Sequence, residues 1–136
     1  ESDILSLHLA ATPETHHLID AAAIEKMKDG AVLINTARGT LVDNQALIDA
    51  LERGKLAGAG LDVFDGDRLI YYRDFKNQVL PQREMAMLNA MPNVLMLPHM
   101  AYYTDQAAED MVRNSLDSAK RYFAGEDNPW LVGKSL

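Results

Sequence analysis

Four short apolar runs, each followed by polar residues, set the strongest limit on how this chain can fold. The clearest of them, Ala31–Asn35, is apolar at every position before its final asparagine. A strand that is apolar on both faces is typical of a parallel sheet covered by helices on both sides. Amphipathic segments separate the runs, so strands and helices alternate along the chain. This order predicts an α/β fold, a parallel sheet of about four strands with crossover helices.

The ends of these elements are marked by residues that start or stop helices. Asp20 and Asp43 can act as N-caps, and Gly30 and Gly54 follow the helix ends. The stretch from 65 to 81 lacks a regular pattern, and long loops in compact domains are often functional. The last helix is long and carries an apolar stripe. The predicted strands are Ile4–Leu9, Ala31–Asn35, Leu56–Leu61 and Val94–Leu97, and the predicted helices are Ala21–Met27, Asn44–Arg53, Gln82–Ala90 and one from Thr104 or Asp105 to about Ala124.

Composition excludes several classes of function. The chain has 136 residues, a formal net charge of -7 and no cysteine. An acidic chain without a basic cluster does not suit nucleic acid, whose phosphates need clustered Lys and Arg. The absence of cysteine excludes disulfides and thiolate metal sites. No apolar run approaches the roughly 20 residues of a membrane span. We therefore predict a cytoplasmic protein without a nucleic-acid or membrane partner.

Polar side chains with complementary chemistry follow the apolar runs. Arg38, Asp67 and His99 each come shortly after a predicted strand, as do His8 and Asp62. Ligands of open parallel sheets bind beyond the carboxyl ends of the strands, so we expect these groups to share one site. A guanidinium, a carboxylate and an imidazole can together hold a carboxylate substrate and move a proton. Simple exposure of strand ends explains any one of these residues equally well, but explains the whole set poorly.

Two adjacent histidines, His16 and His17, raise the question of a metal site. Neighbouring side chains on a helix or turn usually point apart, so a solvated pair is the better interpretation. We predict no metal site from the sequence.

Three segments are specific enough to indicate a family. They are Gly30–Asp43 (GAVLINTARGTLVD), Gly58–Phe64 (GAGLDVF) and Asn93–His99 (NVLMLPH). In order and spacing the chain resembles the D-isomer-specific 2-hydroxyacid dehydrogenases. The irregular segment with Tyr71, Tyr72 and Phe75 is most similar to the D-lactate dehydrogenase branch. The resemblance covers the C-terminal half of a Rossmann-like NAD-binding domain, which we place at residues 1–124. Residues 125–136 are then a tail expected to return to a substrate domain outside this chain.

The resemblance implies a role for each member of a triplet formed by Arg38, Asp67 and His99. Arg38 would bind the substrate carboxylate and polarise its carbonyl, and His99 would exchange a proton with the substrate oxygen. Asp67 stands where the family usually has a glutamate that partners this histidine. Because aspartate is one methylene shorter, we expect the pair to close through a small loop shift or a water.

The resemblance also implies how a cofactor and a substrate are contacted. The cofactor would be NAD, and the substrate a small 2-keto or 2-hydroxy acid. Asp62 would contact the nicotinamide ribose or carboxamide, and Tyr102 would pack near the substrate side chain. The residues expected to bind NAD are Leu9, Ala10, Thr15, Thr36, Ala37, Arg38 and Asp62.

Other features of the resemblance concern the complete protein. The chain has no G-x-G-x-x-G pyrophosphate motif, so we expect that motif upstream. We therefore expect the isolated chain to bind NAD weakly and to lack turnover, and the complete protein to be a homodimer. Two alternatives to a dehydrogenase remain at this point. One is a non-catalytic NAD-sensing module of the corepressor type, and the other is a structural fragment.

Overall fold

A computed structural model describes residues 2–71, 74–79 and 82–131 of the chain. It divides into two compact units, Glu1–Met100 and Ala101–Leu136. The sequence placed a functional division after residue 124, and that assignment of domains stays a prediction. Tyr72 of the irregular segment and residues 132–136 of the predicted tail lie outside the described residues.

The first unit is built on a parallel sheet of four strands in the order β1-β2-β3-β4. This confirms the predicted α/β architecture. The register pairs Leu7 with Asn35, Asn35 with Leu61 and Leu61 with Met96. All four strands therefore end along one edge. The strands are β1 (Ile4–Leu7), β2 (Ala31–Asn35), β3 (Leu56–Leu61) and β4 (Val94–Met96).

Three short helices connect the strands, and two of them begin at the predicted caps. Asp20 accepts a hydrogen bond of 2.7 Å from the Ala23 amide, and Asp43 accepts one of 3.0 Å from the Ala46 amide. The helices are α1 (Ala21–Glu25), α2 (Asn44–Glu52) and α3 (Arg83–Ala90), and single 3-10 turns cover Pro13–Thr15, Gly39–Leu41 and Asp67–Leu69.

Several predicted ends are wrong by one or two residues. Strand β1 stops at Leu7 rather than Leu9, and β4 stops at Met96 rather than Leu97. Helix α1 stops at Glu25 rather than Met27, because the Lys26 amide bonds back to the Ala23 carbonyl and the Met27 amide to the Ile24 carbonyl, which tightens the last turn. Apolar residues occur beyond each of these ends, so a prediction from hydrophobic pattern alone makes the strand or helix too long.

The core lies between the sheet and these helices. Leu33 in β2 and Leu56 in β3 are completely buried, as are Ile48 in α2, Leu88 in α3 and Ile24 in α1. Each such side chain contributes about 1.5–3 kcal/mol relative to exposure. The core fixes the sheet, so the positions of the strand ends follow from it.

The second unit is dominated by the long helix α4 (Asp105–Ala124). Thr104 caps it, accepting a 3.2 Å hydrogen bond from the Ala107 amide, and Gly125 ends it in a left-handed conformation. The apolar stripe predicted for this helix is present but exposed, with Leu116 68% accessible. No other helix or strand is described within the unit to cover it. Within the described part of the chain, no helix combines the length and apolarity needed to cross a membrane.

Candidate active site

A cleft of about 960 Å³ opens where the parallel strands of the first unit end. It brings together the three members of the predicted triplet and His8, as expected from their positions after the strands. Thr15, Thr36 and Asp62 are not among the residues that line it, and Tyr102 belongs to the second unit. The predicted site residues that line the cleft are Leu9, Ala10, Ala37, Arg38, Asp67 and His99.

The central feature of the cleft is a direct contact between an imidazole and a carboxylate. His99 Nδ1 lies 3.0 Å from Asp67 Oδ2. The contact is direct, so of the two expected ways of closing the pair the bridging water is wrong. A carboxylate on Nδ1 orients the ring and fixes its tautomer. Nδ1 is engaged in this way, which leaves Nε2 as the nitrogen for proton exchange with a ligand.

The local backbone explains how the shorter aspartate reaches the ring. Gly66 takes φ 96°, a left-handed conformation open to glycine, and the turn Asp67–Leu69 follows it. The Asp67 amide bonds to the Phe64 carbonyl at 3.1 Å. Asp67 is only 7% exposed as a result. The turn carries the carboxylate inward and compensates for the missing methylene.

The backbone of His99 is held by the neighbouring strand end. Its amide donates to the Asp62 carbonyl at 2.8 Å, and the next amide, of Met100, donates to Asp62 Oδ1 at 2.7 Å. His99 itself has φ 56°, a conformation that residues other than glycine seldom adopt. Buried Asp62 therefore positions the turn that carries the imidazole. Its predicted contact with the cofactor stays a prediction.

Arg38 is placed by a buried asparagine at the end of β2. Asn35 Nδ2 donates to the Arg38 carbonyl at 2.9 Å, and Asn35 Oδ1 accepts from the Ala37 amide at 3.1 Å. The exposed Arg38 guanidinium donates to the Ala37 carbonyl. It forms no ion pair with any carboxylate in residues 2–71, 74–79 or 82–131. Its remaining donors suit an incoming carboxylate.

The segments that carry Arg38 and Asp67 meet backbone to backbone. A Cβ added to Gly39 would lie 2.0 Å from both the carbonyl carbon and the carbonyl oxygen of Phe64. Only a glycine allows this approach, because the opposing atoms belong to the main chain. The glycine at 39 therefore sets the distance across the cleft.

The segment from Leu9 to Thr15, which is expected to contact NAD, is held by hydrogen bonds of the Thr15 side chain. Thr15 Oγ1 donates to the Ala10 carbonyl at 2.8 Å and accepts from the Thr12 amide at 2.8 Å. These bonds fix the backbone of Leu9 and Ala10 where it lines the cleft. Thr15 acts on the cleft through this backbone.

Three residues that shape the site were not assigned a role from the sequence. Arg68 lines the cleft, and its position directly after Asp67 was the available signal. Asn35 and Asn44 are buried polar residues. Asn44 Nδ2 donates to the Asp65 carbonyl at 3.0 Å and to Glu84 at 2.8 Å. Burial of these amides became evident only in the folded chain.

Tyr71 lies near Asp67 of the His99–Asp67 pair, called the dyad below, and gives the site a measurable response to alkaline pH. Its hydroxyl donates to the Leu97 carbonyl at 3.3 Å. Burial, together with the charges of Asp67 and Asp62, raises the pKa of Tyr71 above its ordinary value of 10.0.

We expect a Tyr71→Phe variant to lose less stability at alkaline pH than the unmodified chain. Above the ordinary tyrosine pKa, about 10, the unfolded chain releases the phenolic proton while the folded chain retains it. The free energy of unfolding therefore falls as pH rises. Urea titrations from about pH 8 to about pH 11 measure this slope for both proteins. Parallel curves would contradict the assignment.

The sequence and fold of the chain were matched to known proteins. Residues 1–101 match the family described as D-isomer specific 2-hydroxyacid dehydrogenase, NAD binding domain. The chain belongs to the D-isomer specific 2-hydroxyacid dehydrogenase family. The matched part is the NAD-binding domain of that family, with the parallel sheet of a Rossmann-type fold. This confirms the resemblance drawn from the sequence.

Individual relatives of this dehydrogenase family agree in sequence and in fold. A D-lactate dehydrogenase of Treponema pallidum is 45% identical over 125 residues, which are 92% of this chain and 38% of that protein. A D-specific alpha-keto acid dehydrogenase of Enterococcus faecium is 45% identical over 124 residues, 88% of this chain and 38% of that protein. The crystal structure of a Lactobacillus jensenii D-lactate dehydrogenase with NAD+ superposes with a TM-score of 0.90 at 36% identity, covering 98% of this chain and 40% of that one. The chain thus spans about 40% of the length of the relatives it matches.

Proposed function

We propose that the protein carrying this chain interconverts a D-2-hydroxy acid, of the D-lactate type, and its 2-keto acid with NAD(H). The observation that carries the proposal is the contact of His99 with Asp67 in a cleft also lined by Arg38. A proton donor in the same cleft as a guanidinium that forms no ion pair with the described residues suits a substrate with a carboxylate next to a carbonyl. The names of the relatives support the D-lactate type of substrate.

The residues of the cleft divide the chemistry between them. Arg38 binds the substrate carboxylate through its fork of donors and polarises the adjacent carbonyl. Protonated His99 gives its Nε2 proton to the ketone oxygen as the hydride reaches the carbonyl carbon, so the product is a neutral hydroxyl. Asp67 holds the ring by Nδ1 and fixes its orientation. In hydroxy-acid oxidation the neutral imidazole takes the proton back.

The residues around the cleft fit a nicotinamide cofactor. Backbone from Leu9 to Ala11 and from Ala37 to Thr40 lines its walls, and the volume is large enough for a dinucleotide end together with a small acid. Bound NADH supplies the hydride. The residues that would then contact the cofactor directly are Leu9, Ala10, Ala37 and Arg38. Thr15 would act on the cofactor indirectly, by fixing the backbone of Ala10.

A sensing module of the corepressor type is the second candidate. The relatives reported above are named for dehydrogenase activity, which favours the enzyme. The irregular segment with Tyr71 and Phe75, which is similar to the D-lactate dehydrogenase branch, favours the enzyme too.

The experiment that tests the proposal is a panel of 2-keto acids assayed for NADH oxidation by the complete protein. Pyruvate, branched, aromatic and dicarboxylic 2-keto acids cover the side chains that a 2-hydroxyacid dehydrogenase can select. We expect turnover with at least one of them and a product of the D configuration, measured with enantiomer-specific detection. NADH binding without turnover across the panel would favour the sensing module instead.

Further parts of the proposal concern the chain alone and its assembly. The isolated 136 residues are expected to show no turnover, and NADH-dependent reduction of pyruvate by them would contradict this. A homodimer and a cytoplasmic location of the complete protein, and the lack of nucleic-acid and membrane partners, stay predictions. The roles of Asp62 and Thr36 at the cofactor and of Tyr102 at the substrate stay predictions as well.

A further inference from the structure

Two histidines and an aspartate form a cluster outside the dyad. The rings of His16 and His17 are stacked, with centroids 3.9 Å apart. The expectation that these neighbouring side chains point apart is therefore wrong. His17 Nε2 also lies 3.0 Å from Asp65 Oδ2. Each of the three residues offers one ligand atom, and these atoms all lie within 4.8 Å of one another.

We propose that His16, His17 and Asp65 bind a divalent transition-metal ion, with Zn²⁺ as the best match. Two imidazoles and one carboxylate form a donor set that suits Zn²⁺, and three protein ligands leave a fourth position for water. Ligand distances of about 2.0–2.2 Å imply mutual separations of about 3.3 Å around a tetrahedral ion. To reach that separation, the exposed ring of His16 would rotate about its side-chain torsions.

Two of the three ligands are fixed in place before any ion arrives. The His17 amide bonds to the Thr40 carbonyl at 2.8 Å. The backbone of Asp65 is held by the Asn44 side chain. Asn44 Nδ2 donates to the Asp65 carbonyl at 3.0 Å, and Asn44 Oδ1 accepts from the Asp65 amide at 3.4 Å. The site therefore loses little conformational freedom on binding.

Charge and access also favour a cation. Asp43 Oδ2 lies 3.9 Å from His17 Nδ1, so a second carboxylate faces the cluster. The side chains of His17 and Asp65 are both 33% exposed, and Asp65 lines the cleft, which opens a path for the ion. Bound metal would join the segment before α1 to the segment that leads into Asp67.

The test is a Zn²⁺ titration of the complete, untagged protein by calorimetry, with Co²⁺ absorption as a spectroscopic check on coordination. We expect His16→Ala and Asp65→Asn each to weaken Zn²⁺ binding at least about tenfold. His8→Ala is the matched control, because it also removes one imidazole but lies outside the cluster, and it should leave the Kd unchanged. Binding should weaken in acid, because imidazole ligands must lose their protons.

NMR of the histidine ring nitrogens tests the site in the unmodified protein, so the result does not depend on a variant that folds poorly. In nitrogen-resolved spectra of the histidine rings, Zn²⁺ should shift the resonances of His16 and His17 and leave those of His8 and His99 in place. A Kd weaker than about 1 mM, equal losses in His8→Ala and His16→Ala, or shifts confined to other histidines would each overturn the site.

Discussion

A Gly39→Ala variant is expected to lose about 3 kcal/mol or more of folding stability, the largest structural effect predicted for a single methyl group in this chain. The added Cβ would lie 2.0 Å from the Phe64 carbonyl carbon and oxygen and 2.6 Å from the Asp65 amide nitrogen. Main-chain atoms cannot rotate away, so the two segments must separate. That separation would also move Arg38 away from Asp67.

Urea unfolding of the variant followed by circular dichroism measures the loss. Gly54→Ala is the matched control. Gly54 has φ 74°, and its Cβ would meet no atom within 4 Å, so only the left-handed backbone contributes. That contribution is about 1–2 kcal/mol. If the two variants are equally stable, the close approach at Gly39 does not limit the fold.

The second large effect is catalytic and rests on the proposed function. His99→Gln in the complete protein should lower kcat about 10²–10⁴-fold, because the amide keeps the shape of a polar side chain but cannot cycle a proton. The KM for the keto acid should change little. Steady-state NADH oxidation with the best substrate of the panel measures both constants.

Arg38→Lys is the comparison that separates the two roles. Lysine keeps the charge but loses the bidentate fork, so the KM for the acid should rise together with a fall in kcat. If His99→Gln and Arg38→Lys change kcat and KM in the same proportions, proton transfer and carboxylate binding are not divided as proposed.

Asp67→Asn is the companion variant within the dyad. The carboxylate that accepts from His99 Nδ1 at 3.0 Å holds the imidazole in one orientation and one tautomer. Asparagine cannot hold the ring in this way, so kcat should fall about 10²-fold or more while the KM for the keto acid changes little. Asp65→Asn, which changes the carboxylate beside His17 instead, should lower kcat far less. Equal kcat values in Asp67→Asn and the unmodified protein would remove the role given to Asp67.

The sheet was predictable because its signal is local and repeated. Strand β2 was predicted with both ends correct, since Ala31–Ile34 is apolar on both faces and Asn35 ends it. The parallel order followed from alternating strands and helices. Ends that depend on a single hydrogen bond were missed, as where the Lys26 amide closes α1 early.

The contacts within the site were harder to predict. The sequence raised doubt about the reach of Asp67, because side-chain length was the only quantity it offered. The reach depends on the left-handed Gly66 and the turn after it, which supply what the shorter side chain lacks. The stacking of His16 on His17 depends on an unusual backbone at His17, with φ 50°, which no propensity predicts.

The exposed apolar stripe on α4 shows a different limit of sequence-based prediction: the face was predicted, but its burial could not be. Its periodicity predicted an apolar face correctly, and Met111 and Leu116 lie on it. Periodicity describes which side chains share a face, but burial requires a second surface, and the described part of the second unit offers only the short segment around Trp130, which leaves the stripe exposed.

The sequence by itself determined the family, the parallel sheet and the chemical types at its edge, because hydrophobic pattern and motif spacing are properties of neighbouring residues. Only the tertiary structure decided that His99 touches Asp67, that Gly39 presses against Phe64, and that Asp65 meets His17 rather than His99. These distances join residues 25 or more positions apart. These contacts depend on the backbone torsion angles of a few turns, which set the direction of each side chain. The order of residues along the chain does not give those angles.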